Sequence, residues 1–334
     1  MSVHTISSVQ PRVAVLYQAL DPPLIDGVRR PKRPRGYHES GADSAYVPQE
    51  QCRIPVVTPQ PDPQPSRILQ AVKDDANCLW ANTILFSELP MQTSPNIGQY
   101  ANLLTAVGQP PRLVQAYDDK NLVNSLLRKT GKFNMPFSCV IPATDDIEMV
   151  LVKNDLQLPI VCETLEELRQ HVASPGSGII LENFLSGKKG TVTVMPPSNE
   201  HADYWALPIV VRFNHVDGIA PSNGVVAGTK NSRAFWPEEM DKDSACARVM
   251  QDCEEVARLL RVKRDAPDSQ FALFEVNMKP NMAAPLRPGR EDQASLTSMA
   301  ASAIGWKPAQ ILEAIVRSAS TLQALRDTEL PSLS

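Results

Sequence analysis

The stretch Phe274–Met282 reads FEVNMKPNM and holds the residues best suited to chemistry. On an extended strand, positions two apart face one side, so Glu275 and Asn277 project a carboxylate and an amide oxygen together from the strand end. Two hard oxygen donors so placed suit Mg2+, an ion commonly shared with nucleotide phosphates. His215 and Asp217 in NHVDG have the same spacing and would suit a metal. No third His or Cys stands near them in sequence, and a hydrogen-bonded turn before Gly218 is the better account.

Elements must hold these residues in place. Arg12–Tyr17 (RVAVLY) suits a first buried strand, Ser66–Asp75 a helix and Cys78–Leu85 (CLWANTIL) a second strand, an order that favours a parallel sheet. Thirty prolines, clustered before Ser66, predict loops from Gln18 to Pro65 and no core there. Apolar spacing predicts a helix over Ser94–Val107, stopped by Gly108, Pro110 and Pro111. Leu113–Ala116 reads as a strand, Asp118 or Asp119 caps a helix through Arg128, and Pro136–Ile141 is another strand. Thr164–Glu167 (TLEE) is a capping box that opens a helix. The second half is richer in strands, at Gly178–Phe184, Thr191–Met195, Tyr204–Phe213 and Phe271–Asn277. Its helices are expected at Asp243–Leu260, Asp292–Ile304 and Pro308–Ser320.

Composition narrows the classes of function. A net charge of -4 over 334 residues gives no general attraction to nucleic acid or an anionic membrane. The one basic cluster, Arg29–Arg35 (RRPKRPR), is interrupted by prolines and reads as a loop. No apolar run approaches a membrane span, and Met1–Gln10 has no leader pattern, so the expected location is the cytoplasm. Six scattered cysteines without CxxC spacing read as reduced thiols, several of them buried.

Three stretches carry a resemblance to a known family. FEVNMKP is similar to the closing Glu-x-Asn motif of the D-alanine:D-alanine ligase-like ATP-grasp enzymes, Ile179–Val194 (IILENFLSGKKGTVTV) to their hinge strand and following TVxV strand, and Tyr117–Leu127 (YDDKNLVNSLL) to their Asp-Lys helix. The matches run in the family's order from Leu113 to Ser320. The resemblance implies an α/β plus α+β fold of shortened ATP-grasp architecture. A parallel-sheet preATP-grasp lobe would span residues 1–111, with α+β lobes at 112–176 and 177–334. It places Lys120 near the nucleotide phosphates and Glu182, Asn183 and Leu185 at the adenine, and makes Glu275 and Asn277 the Mg2+ ligands. Arg287 or Arg290 in RPGR would hold a phosphate or carboxylate by a bidentate fork. The implied reaction is an ATP-dependent amide-forming ligation through an acyl phosphate, with a place in specialised metabolism. Its substrates would be small amino or carboxylic acids, with no nucleic acid or membrane partner and with a homodimer left open.

The sequence also departs from that family. After Leu158–Val161 the expected lysine-proline step and glycine-rich phosphate loop are missing, and Leu260–Gln270 stands in place of an Arg-x-Asp strand. Lys189 occupies a position that is usually an acidic ribose contact, and Ala283 and Ala284 stand where serine hydroxyls are expected. The implied alternative is a catalytically impaired relative or truncated gene product with a binding role. The two gaps leave intact flanks, as lost exons would; sequencing the transcript tests that hypothesis.

Overall fold

A computed structural model describes residues 10–17, 24–25, 28–29, 38–61, 64–141, 164, 166–167, 170, 179–182, 189–198, 200–213, 231–260, 276–279 and 294–330. In chain order the elements begin with β1 (Val13–Tyr17), β2 (Leu24–Ile25), β3 (Val28–Arg29), α1 (His38–Glu50), β4 (Val56–Pro61), α2 (Pro65–Lys73) and β5 (Cys78–Asn82). They continue with α3 (Pro90–Thr93), α4 (Pro95–Gly98), β6 (Thr105–Val107), α5 (Pro111–Tyr117), α6 (Lys120–Thr130), β7 (Ser138–Ile141), β8 (Ile179–Glu182), β9 (Lys189–Thr191) and β10 (Val194–Met195). Then come β11 (Trp205–Ala206), β12 (Val210–Arg212), β13 (Ser232–Ala234), α7 (Pro237–Met240) and α8 (Ser244–Leu259). The last are α9 (Leu296–Ala303), α10 (Pro308–Arg317), β14 (Ser320–Thr321) and α11 (Leu322–Asp327). Two units form: the larger from Met1–Asp118, Lys188–Arg264 and Asn277–Ser334, the smaller from Asp119–Gly187 and Asp265–Val276.

The larger unit is built on a five-stranded sheet in the order β14-β6-β5-β1-β4, parallel except at β14. Both faces are covered, which is why VAVLY and CLWAN are nearly continuous apolar runs. Val13, Val15, Cys78 and Trp80 face one core, with Ala45 of α1, Met299 of α9 and Leu312 of α10. Ala14, Leu16, Leu79 and Ala81 face the other, with Ile68 of α2, Met91 of α3, Ile97 of α4 and Leu322 of α11. A second, three-stranded antiparallel sheet runs β13-β12-β9, and β10 pairs with β11. The smaller unit pairs β7 and β8 antiparallel, Ser138 opposite Glu182 and Ile141 opposite Ile179.

Several sequence expectations fail, among them the strand over Tyr204–Phe213, which is broken into β11 and β12. The segment Gln18–Pro65 is no mere loop: α1 and β4 lie in it, and Ala45 and Ile54 are buried. Prolines did not prevent this because β4 is an edge strand, where a missing N–H is tolerated. The register shifts between Ala14 and Leu16, a bulge that accommodates the run containing Pro59. The helix expected over Ser94–Val107 is instead α4, a series of turns and strand β6, which adds beside β5. Leu113–Ala116, expected as a strand, lies in α5, whose first residue is Pro111 and whose buried Leu113 and Tyr117 are one turn apart. The expected caps hold: Asp119 Oδ1 accepts from Leu122 N–H at 3.1 Å, and Thr164 and Glu167 exchange reciprocal bonds at 3.2 and 3.3 Å.

Candidate functional site

Asp119 starts α6 and thereby sets Lys120 in its first turn, while Gly131 ends it in the left-handed conformation at φ 66°. Residues 120, 124 and 128 follow one another at four-residue spacing and so lie along one helix face. All three reach the β7–β8 pair or the chain entering it. Lys120 Nζ donates to Glu182 Oε2 at 2.5 Å, and Asn124 Nδ2 to Glu182 Oε1 at 3.4 Å. Arg128 Nη2 donates to Pro136 O at 2.9 Å and to Ser138 Oγ at 2.5 Å. The Lys120–Glu182 pair is largely withdrawn from water, its side chains 25% and 15% exposed, so its attraction is screened less than that of a surface pair.

Lys120 and Glu182 were thus selected separately from sequence, for opposite ends of a nucleotide, and the structure joins them as an ion pair. Asn124 was missed, although its position four residues after Lys120 was a usable signal. Asn183 and Leu185 lie outside the described residues.

The larger unit holds the other half of the sequence expectation. Asn277 lies outside any strand and is exposed. Its Oδ1 accepts from Lys279 N–H at 2.9 Å, a side-chain-to-backbone turn. That turn sends the Lys279 ammonium to the carbonyl of Thr83, a buried residue just past the C-terminal end of β5. Ligands of open α/β sheets bind outside such strand ends, so the placement is one where chemistry is usual. Lys279 is the residue that sequence reasoning passed over in this stretch. Glu275, Arg287, Arg290, Ala283, Ala284, His215 and Asp217 lie outside the described residues, as do the two junctions where family segments are missing.

Thiol chemistry has little support at the described cysteines. Burial pushes the Cys78 thiol up to about 11, and burial, with Asp252 and Glu254 adding to it, pushes Cys253 up to about 12. Neither would be a thiolate nucleophile at neutral pH.

No protein-family model matches the sequence, and no curated protein does. Solved structures share its fold. The D-alanine–D-alanine ligase of Bacillus anthracis in complex with ATP has a TM-score of 0.60 at 16% identity, over 96% of this chain and 99% of that one. The chain has an ATP-grasp fold of the D-alanine:D-alanine ligase type. The VanG D-Ala:D-Ser ligase of Enterococcus faecalis shares it, with a TM-score of 0.55 at 12% identity over 95% of this chain and 100% of that one. Among the described residues no helix is long and apolar enough to cross a membrane.

Proposed function

We propose that the chain binds ATP and acts as an ATP-dependent carboxylate-amine ligase on small amino or carboxylic acids. The observation that carries the reading is the likeness, over almost the whole of both chains, to a ligase complexed with ATP. The donor set of the smaller unit suits a nucleotide. Lys120 would hold a phosphate oxygen, and Glu182 would hold the ammonium in place until that phosphate arrives. The carboxylate substrate would take the γ-phosphoryl group of ATP, releasing ADP. Attack of an amine on that acyl phosphate would then form the amide and release phosphate.

The described residues do not by themselves make a Mg2+ site. Among them no three His, Cys, Asp or Glu side chains stand together, and the oxygen of Asn277 already accepts the Lys279 amide. No step above runs through the ion. The missing lysine-proline step and glycine-rich loop after Leu158–Val161 favour a second reading, nucleotide binding without turnover, because such a loop supplies the main-chain donors that shield the γ-phosphate.

Calorimetry with an ATP analogue and Mg2+ on the full chain, beside Lys120→Met and Glu275→Ala, tests both readings. Binding that each substitution weakens about tenfold is expected. A folded chain that binds no nucleotide overturns both. ADP release on adding pools of carboxylic and amino acids selects the ligase, and its absence with binding intact selects the second reading.

A further inference from the structure

The three-stranded sheet of the larger unit sets two cations directly against each other. Arg212 on β12 is the antiparallel partner of Lys189 on β9 and, on its other side, of Ser232 on β13. Directly opposite residues share a face, with Cβ atoms about 4.5–5.5 Å apart, so Lys189, Arg212 and Ser232 form one row across the sheet. Like charges in that relation repel each other.

Nothing among the described residues relieves the repulsion. Neither cation takes part in a side-chain hydrogen bond or ion pair there, and Arg212 Nε is shut from solvent with no acceptor. The Ser232 hydroxyl donates to Asn231 Oδ1 at 3.1 Å, and Arg212 Nε makes no bond to its oxygen. Other guanidinium groups have oxygen acceptors: Arg258 meets Asp203, Glu254 and Glu255, Arg233 meets Glu239, Arg317 meets Glu313, Arg128 meets Pro136 O and Ser138 Oγ, and Arg326 meets Ser94 O. A buried N–H donor left without an acceptor destabilises the fold, and a charged one does so more than a neutral one.

We infer that Lys189 and Arg212 form a binding site for a phosphate-class oxyanion, either inorganic phosphate or the phosphoryl group of a larger ligand. The guanidinium offers a planar fork to two oxygens and the ammonium a compact point charge to a third. Two positive charges with no carboxylate in the row match a dianion better than a singly charged carboxylate. The site uses no residue of the Lys120–Glu182 pair, so it stands whether or not the ligase reading does.

The test titrates inorganic phosphate into the full chain in chloride buffer at constant ionic strength, following the thermal midpoint and the heat of binding. Wild type is expected to show a saturable rise in midpoint, and Lys189→Met an affinity at least tenfold weaker. Without phosphate, Lys189→Met should melt no lower than wild type, because it removes a repulsion; a merely structural lysine would lower the midpoint when replaced. Arg212→Lys, which keeps the charge and loses the fork, should weaken phosphate less than Lys189→Glu does. No saturable response in folded wild type, or an equal response in Lys189→Met, overturns the inference. Competition by ADP would identify a nucleotide's phosphoryl group as the source, and phosphate binding that ADP leaves untouched would identify the free anion. If Lys120→Met abolishes ATP binding but leaves the phosphate response, the two sites are separate.

Discussion

In β1, Val13, Ala14, Val15 and Leu16 are all shut from solvent and alternate between two apolar cores, whereas α6 of the smaller unit meets β7 and β8 through the polar row Lys120, Asn124 and Arg128. Apolar burial is non-directional and is not weakened by ionic screening, but truncation leaves a cavity that close packing cannot fill. A polar row depends on geometry and charge, and each member matters through the partner that it would leave unsatisfied. The contrast predicts different responses to substitution.

The largest effect belongs to the sheet. Leu79→Ala removes a side chain with no exposure and should cost about 3–5 kcal/mol in urea unfolding. A loss below about 1 kcal/mol would mean that the sheet relaxes around the cavity, and the comparison would break.

An intermediate effect belongs to the polar row. Glu182→Gln leaves the Lys120 ammonium in a part-buried place without its carboxylate and should cost about 1–2 kcal/mol. Replacing Lys120 by Met in the same chain should recover part of that loss. A double-mutant cycle run at low and high salt would measure the coupling, and one near zero would show that shape rather than charge holds α6.

The smallest effect belongs to an exposed pair. The hydrogen bond from Arg233, helped by the Trp236 amide, holds the Glu239 carboxyl below its ordinary range. A lowered folded-state value contributes stability that is present above the unfolded carboxylate range and is lost as pH falls through the folded one. The thermal midpoints of wild type and Glu239→Gln should therefore differ slightly at neutral pH and converge in strong acid. A difference that grows with acidity would reverse the assignment.

Much of the sheet was legible because both its faces are buried. RVAVLY and CLWANTIL are predominantly apolar, and no choice of register was needed to recognise them. Caps were legible too, since Asp119 and Thr164 act on neighbours within three residues. Elements whose identity depends on distant partners were not. β6 is three residues long and is a strand because Cys78–Trp80 lies beside it, and LVQA in α5 has no local mark that separates a buried helix from a strand. The candidate site divides in the same way. Lys120, Glu182 and Asn277 could each be chosen by type and position, but the pairing of Lys120 with a residue 62 positions away could not. Nor could the opposition of Lys189 and Arg212, which exists only through strand register.

The proline-bearing strand β4 has one further consequence. Pro59 and Pro61 carry no amide proton, and the bulge in the pairing of β4 with β1 makes this edge strand irregular. The opposite margin, β14, is two residues long. A sheet limited in this way offers a poor template to a second copy of itself, so the composition that first suggested loops disfavours edge-to-edge aggregation.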